Sequence, residues 1–136
     1  MKTFGDLDKG DKIYVLNNPK VFSPDYWLNV WIVKRVERNF NKGKLFVYYC
    51  YNETTVEDCT LALDWSDIKL HNLSSNYDGI IRRYISDPDE LKKNINWMAD
   101  DYIKRQKTAI HNSRMDIRKS RKLIRSCNNV KRKFKI

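Results

Sequence analysis

Lys104, Arg105, Lys107, Arg114, Arg118, Lys119, Arg121, Lys122, Arg125, Lys131, Arg132 and Lys133 crowd the last third of the chain, and the chemistry open to them is neutralisation of phosphate. From Lys104 to Ile136 there are 13 Lys/Arg and one acid, Asp116, giving +12; Met1 to Ile103 has 14 basic and 16 acidic residues, giving −2. The whole +10 of the chain therefore resides in its tail. Such a segment binds a polyanion by releasing its counterions, which gives affinity with little sequence preference. The same charge also suits an acidic protein, and many charge runs are only solvated helix faces. No base-reading signature accompanies it: the heptads lack a basic region with a leucine zipper, and no helix-turn-helix or RNP pattern is present.

Two tryptophans offer a second chemistry. Trp27 and Trp31 share one face of an extended run, where with Tyr48 or Tyr49 of a neighbouring strand they would form a stacking platform for unpaired bases. The competing reading, which we favour, covers this face with a helix bearing Leu91, Ile95, Trp97 and Met98, since a long exposed aromatic patch invites aggregation. Trp65 is assigned to the core. Catalysis finds no support. His71 and His111 neighbour no nucleophile, and the acidic pairs Glu57-Asp58 and Asp100-Asp101 are adjacent residues that diverge in any regular element. The expectation is a protein that is not an enzyme, with no catalytic residue, metal or cofactor. Four glycines form no phosphate loop, and Cys50, Cys59 and Cys127 have neither zinc-ribbon spacing nor the even number of a disulfide framework.

The elements that position the cations begin at Asp87-Pro88-Asp89-Glu90. Asp87 can accept from free backbone N–H groups, Pro88 is preset for the first helical position, and Glu90 completes a capping box. No Gly or Pro follows, so the pattern predicts one helix over residues 87–127, about 60 Å long at 1.5 Å per residue, and a flexible basic tail over 128–136. Leu91, Ile95, Met98 and Tyr102 form a stripe that packs the proximal half on the preceding domain, and the distal half projects. Ile103, Ile110, Ile117 and Ile124 recur every seven residues as a protein-partner stripe. Gln106, Ser113, Ser120 and Cys127 fall at the d positions, too polar or small for an autonomous zipper but suited to close approach of another helix. The alternative is a break at His111-Asn112-Ser113, with Ser113 and Asp116 as a second capping box and the chain folded back as a hairpin; the unbroken seven-residue phase favours the continuous helix.

Residues 1–86 read as short strands separated by turns. Lys12 to Leu16 alternates, with Ile13 and Val15 on one face; Asn17 to Asp25, holding Pro19 and Pro24, is a loop. Tyr26 to Arg38 is a second strand, with Leu28, Val30, Ile32 and Val36 expected on its core face. Asn41-Lys42-Gly43-Lys44 signals a hairpin into Leu45 to Tyr51. Asn52 to Thr55 turns the chain, Val56 to Leu63 is a weaker strand, and Asp64 to Asp67 forms a 3₁₀ turn capped by Asp. Asp78-Gly79 leads into a last strand, Ile80 to Ile85. Gly5-Asp6-Leu7 and Gly10-Asp11-Lys12-Ile13-Tyr14-Val15 resemble the first strand of SH3-like small barrels, which place a 3₁₀ turn where Asp64 to Asp67 falls; that resemblance covers about the first 70 residues. The richness in Asn, Lys, Ile and Tyr resembles that of small proteins encoded by AT-rich bacteriophage genomes.

The resulting fold class is α+β: a small antiparallel SH3-like β-barrel or bent sheet followed by a long C-terminal basic α-helix. The expected role is a nonenzymatic accessory protein that binds DNA or RNA through that helix. The alternative is an assembly protein of a virion or multi-subunit complex, in which the barrel and Ile stripe meet protein, through self-association or an acidic partner. No membrane-spanning run or apolar leader is read in the sequence, so a cytoplasmic, reducing location is expected, or association with a virion.

Overall fold

The computed structural model describes residues 2–39, 45–77, 79–112 and 117–134. It is an α+β protein in which a curled six-stranded antiparallel sheet is followed by C-terminal helices. The strands are β1 (Lys12–Asn17), β2 (Leu28–Asn39), β3 (Leu45–Asn52), β4 (Glu57–Leu63), β5 (Asn72–Tyr77) and β6 (Ile80–Ile85); the helices are α1 (Pro88–Asn112) and α2 (Ile117–Lys133). The chain divides into two compact units, Met1–Asn17 with Leu28–Leu91, and Asn18–Trp27 with Lys92–Ile136.

The first unit holds the sheet, in the order β4-β3-β2-β1-β6-β5. Sequential hairpins make most of these neighbours, and β1 pairing with β6 (Val15 opposite Tyr84) joins the first strand to the last. In β1 the alternation holds as read, with Ile13 and Val15 fully buried. Gly10, at φ +92°, turns the chain before the strand and donates its N–H to the Val33 carbonyl at 2.8 Å. The curl is fastened from the N-terminus: the Phe4 N–H donates to the Leu70 carbonyl, and the buried Tyr48 hydroxyl donates to the Phe4 carbonyl at 2.6 Å. Phe4, Leu7, Trp31, Val33, Phe46, Cys50, Leu63 and Ile68 complete the core around them.

Before its bulge β2 faces the opposite way from the expectation, whereas Val36 packs against the core as expected. Trp31 and Val33 enter the core, and Ile32 lies on the other face. A bulge shifts the register between Val33 and Arg35, so one extra residue carries Val36 onto the Trp31 face and leaves Arg35 opposite Tyr49. The sequence alternation, read at strict period two, cannot register that insertion. The hairpin signal at 41–44 lies outside the described residues. The 3₁₀ turn forms at Asp67–Lys69, three residues later than read, with the Asp64 carboxylate accepting the N–H groups of Ser66 and Asp67. Trp65 is not in the core: it is 41% exposed, stacked against Phe46.

α1 starts where the capping signal places it. Asp87 Oδ2 accepts the Glu90 N–H at 3.1 Å, and Oδ1 accepts the Lys2 N–H at 3.2 Å. The helix does not run on to Cys127. In the second unit α1 and α2 are separate and antiparallel, because Lys131 Nζ lies 2.7 Å from Asp100 Oδ1, whereas 31 residues of unbroken helix would separate them by about 46 Å. The distal half therefore returns along the proximal one instead of projecting. The sequence phase favoured continuity because the same seven-residue spacing also serves two helices that each bury one stripe. Ser113 and Asp116 lie outside the described residues.

Candidate nucleic-acid interface

Burial sorts the residues of α2 by face. Ser120 and Cys127 are 3% and 0% exposed, and Ile117, Leu123, Ile124, Val130 and Lys131 are half-buried, as is Phe134 just beyond the helix. The Pro24–Tyr26 turn packs against this helix, with the Ser126 hydroxyl donating to Asp25 Oδ2 at 3.3 Å. Trp27 follows that turn, 1% exposed, its indole N–H donating to the Phe22 carbonyl at 2.9 Å and its ring meeting Tyr102 of α1 edge-on at 5.4 Å. Burial pushes the Cys127 thiol up to about 12, with the Asp25 charge adding to it. Burial also raises the Tyr102 hydroxyl, with Cys127 nearby. The small residues that a zipper would reject are thus the ones this unit encloses.

The opposite face of α2 is basic. Arg118, Lys119, Arg121, Lys122, Arg125, Arg132 and Lys133 are all exposed, together with Asn128 and Asn129. At 100° per residue, Arg118, Arg125 and Arg132 form a line drifting about 20° per heptad, roughly opposite the line of Ser120, Cys127 and Phe134. Helix Ile117–Lys133 contains eight Lys/Arg and no Asp or Glu, so no acid within it can compensate them. Among the described residues only Lys131 of α2 makes an ion pair. The rigid inner seam and the outer cations are consequently parts of one element.

The remaining sequence-predicted residues fall differently. On α1, Arg105 pairs with Asp101 at 3.0 Å and so is partly neutralised, while exposed Lys104 and Lys107 line an open groove with Asp100, Ile103, Thr108 and His111. Arg114 lies outside the described residues. Ile103 and Ile110 belong to α1 and Ile117 and Ile124 to α2; all four are half-buried, so no single helix presents them as one stripe. Trp27 and Trp31 are 1% and 6% exposed, and Trp31 packs edge-on with Tyr84 in the sheet core. Neither is accessible to an unpaired base, and they belong to different units. Asn128 and Asn129, expected to open a flexible tail over 128–136, lie instead within α2, which continues to Lys133, and both are exposed beside its cations.

A second polar cluster lies on the sheet. The Arg35 guanidinium sits 4.2 Å over the Tyr49 ring, the Tyr49 hydroxyl donates to Glu37 Oε2 at 3.0 Å, and Lys34 pairs with Asp58 at 2.6 Å. Each cation there has an acidic neighbour, so the cluster lacks the uncompensated charge of α2. Among the described residues no group of His, Cys, Asp and Glu could hold a metal ion, and no helix is long and apolar enough to cross a membrane.

No known family, curated protein or solved structure matches the chain. The reading of the site therefore rests on its residues.

Proposed function

We propose that this is a nonenzymatic accessory protein that binds nucleic acid through the exposed face of α2, chiefly by phosphate contacts. The observation that carries this reading is the back-to-back arrangement of that helix: Ser120 and Cys127 anchor one side, and seven exposed, acid-free cations occupy the other. A helix fixed by burial holds its guanidinium and ammonium groups in place before a partner arrives, which lowers the ordering entropy that a loose basic tail loses on binding. Phosphate neutralisation then supplies affinity without a catalytic group.

The assembly reading, with an acidic protein or a second copy as partner, is less well supported. Its Ile stripe requires four residues along one helix, and these are shared between α1 and α2 and half-buried. Arg118→Gln, Arg125→Gln and Arg132→Gln together should leave circular dichroism unchanged and weaken binding to mixed-sequence duplex at least tenfold in a gel-shift titration. Unchanged affinity in the folded triple variant would overturn the reading.

A further inference from the structure

We infer that the partner of α2 is B-form duplex DNA and that this helix occupies its major groove, an inference that rests on the nucleic-acid reading and extends it. An α-helix with side chains is about 10–12 Å across, matching a major groove about 12 Å wide, whereas the minor groove is about 6 Å wide and the deep groove of A-form RNA is too narrow to enter. Helix Ile117–Lys133, 17 residues, is about 25 Å long, and Arg118 to Arg132 covers about 21 Å of it.

Residue types follow an order around the exposed face. Asn129 projects near the centre, between Arg125 at i−4 and Lys133 at i+4; by the same projection Arg121 lies on one flank and Lys119 on the other. A helix seated in the groove has phosphates on both sides and base edges in front of it. Flanking cations suit the two backbones. Arg and Asn are the side chains that pair two-pronged with guanine and adenine edges respectively. Uncharged Asn129 in the middle of a face whose only other uncharged exposed residue is Asn128, at its flank, adds nothing to phosphate attraction and is chemically suited to a base edge.

The face also lacks what other polyanions need. None of its exposed residues is aromatic, and the exposed rings of Tyr26 and Trp97 belong to the Pro24–Tyr26 turn and to α1, so a single strand would find no stacking surface on α2 itself. None is apolar either, so an anionic lipid surface would gain charge contacts but no insertion.

The test uses the full chain at one fixed salt concentration with duplex DNA, duplex RNA and single-stranded DNA of the same mixed sequence, followed by dimethyl sulfate footprinting on the duplex DNA. The expected result is at least tenfold tighter binding to duplex DNA than to either alternative, with protection of guanine N7 in the major groove. Asn129→Ala should diminish discrimination among duplex sequences in a competition panel while leaving the salt dependence unchanged. Comparable binding to all three polymers, or unprotected N7, would overturn the major-groove inference and leave the nucleic-acid reading standing. Binding to none of them would overturn both.

Discussion

Lys131 Nζ lies 2.7 Å from Asp100 Oδ1, across 31 residues of sequence. This ion pair shows α2 lying back along α1, and hence which face of α2 is left for a partner. Its energy is small, because Asp100 is more than half exposed and solvent screens it. It is a marker of geometry more than a source of stability. A zero-length carbodiimide should join the Asp100 carboxylate to the Lys131 amine as an amide, seen by peptide mass spectrometry as a cross-link between α1 and α2. Failure to cross-link in the folded protein would contradict the antiparallel arrangement.

Trp27 is a packing residue. It is 1% exposed, satisfies its indole N–H on the Phe22 carbonyl and meets Tyr102 edge-on. Trp27→Ala should destabilise the protein by about 3–5 kcal/mol in urea titration, the usual loss for a large buried aromatic, and Trp27→Phe by distinctly less. A stable Trp27→Ala variant that had lost only nucleic-acid binding would instead restore the stacking-platform reading.

Val56 sits at φ +58° in the turn between β3 and β4, 71% exposed, its N–H donating to the Asn52 carbonyl at 2.8 Å. A β-branched side chain crowds the backbone in this left-handed region, and little burial offsets the strain. Val56→Asn should raise stability by roughly 1 kcal/mol, because Asn tolerates the conformation. Calorimetry showing a lower melting temperature would contradict this account of the turn.

Alkaline stability follows from buried acids. Burial raises Cys50 and Cys127 to about 12 and Cys59 to about 11 from 9.0, and Tyr48 to about 12 from 10.0. Between about pH 9 and 12 the unfolded chain therefore loses protons that the folded chain keeps. These groups contribute their full stability below pH 9, and it is lost as pH rises toward their folded values. Unfolding free energy measured by urea titration should fall steadily above pH 9, and Cys127→Ser should flatten that fall. Constant stability from pH 8 to 11 would count against the burial of these groups.

The sequence disclosed the α+β order, the Asp87-Pro88 helix start and most strand positions, because caps, turns and β-branched runs are local signals. It missed β5, whose Asn72-Leu73-Ser74-Ser75-Asn76-Tyr77 has weak strand propensity; among the described residues this strand is at the sheet edge and pairs with β6 alone. It misread β2 before its bulge, choosing the face of Leu28, Val30 and Ile32 over that of Trp31 and Val33, because both alternating sets are apolar; the bulge then brings Val36 to the core side. The basic residues of the site were legible from charge alone. Their segregation to one face of α2 depends on Ser120 and Cys127 being buried, a tertiary fact that periodicity raised but could not assign to a partner.

The central claim is that the outer face of α2 binds phosphates, and the salt dependence of binding tests it most directly. Each neutralised phosphate of a duplex contributes a slope of about −0.9 to the logarithm of the binding constant against the logarithm of salt concentration. Engagement of most of the α2 cations predicts a slope of about −4 to −6 by fluorescence anisotropy, reduced in magnitude by about 1 for each of Arg118→Gln, Arg125→Gln and Arg132→Gln. Binding that is insensitive to salt, or a slope that these three substitutions leave unchanged, would contradict it.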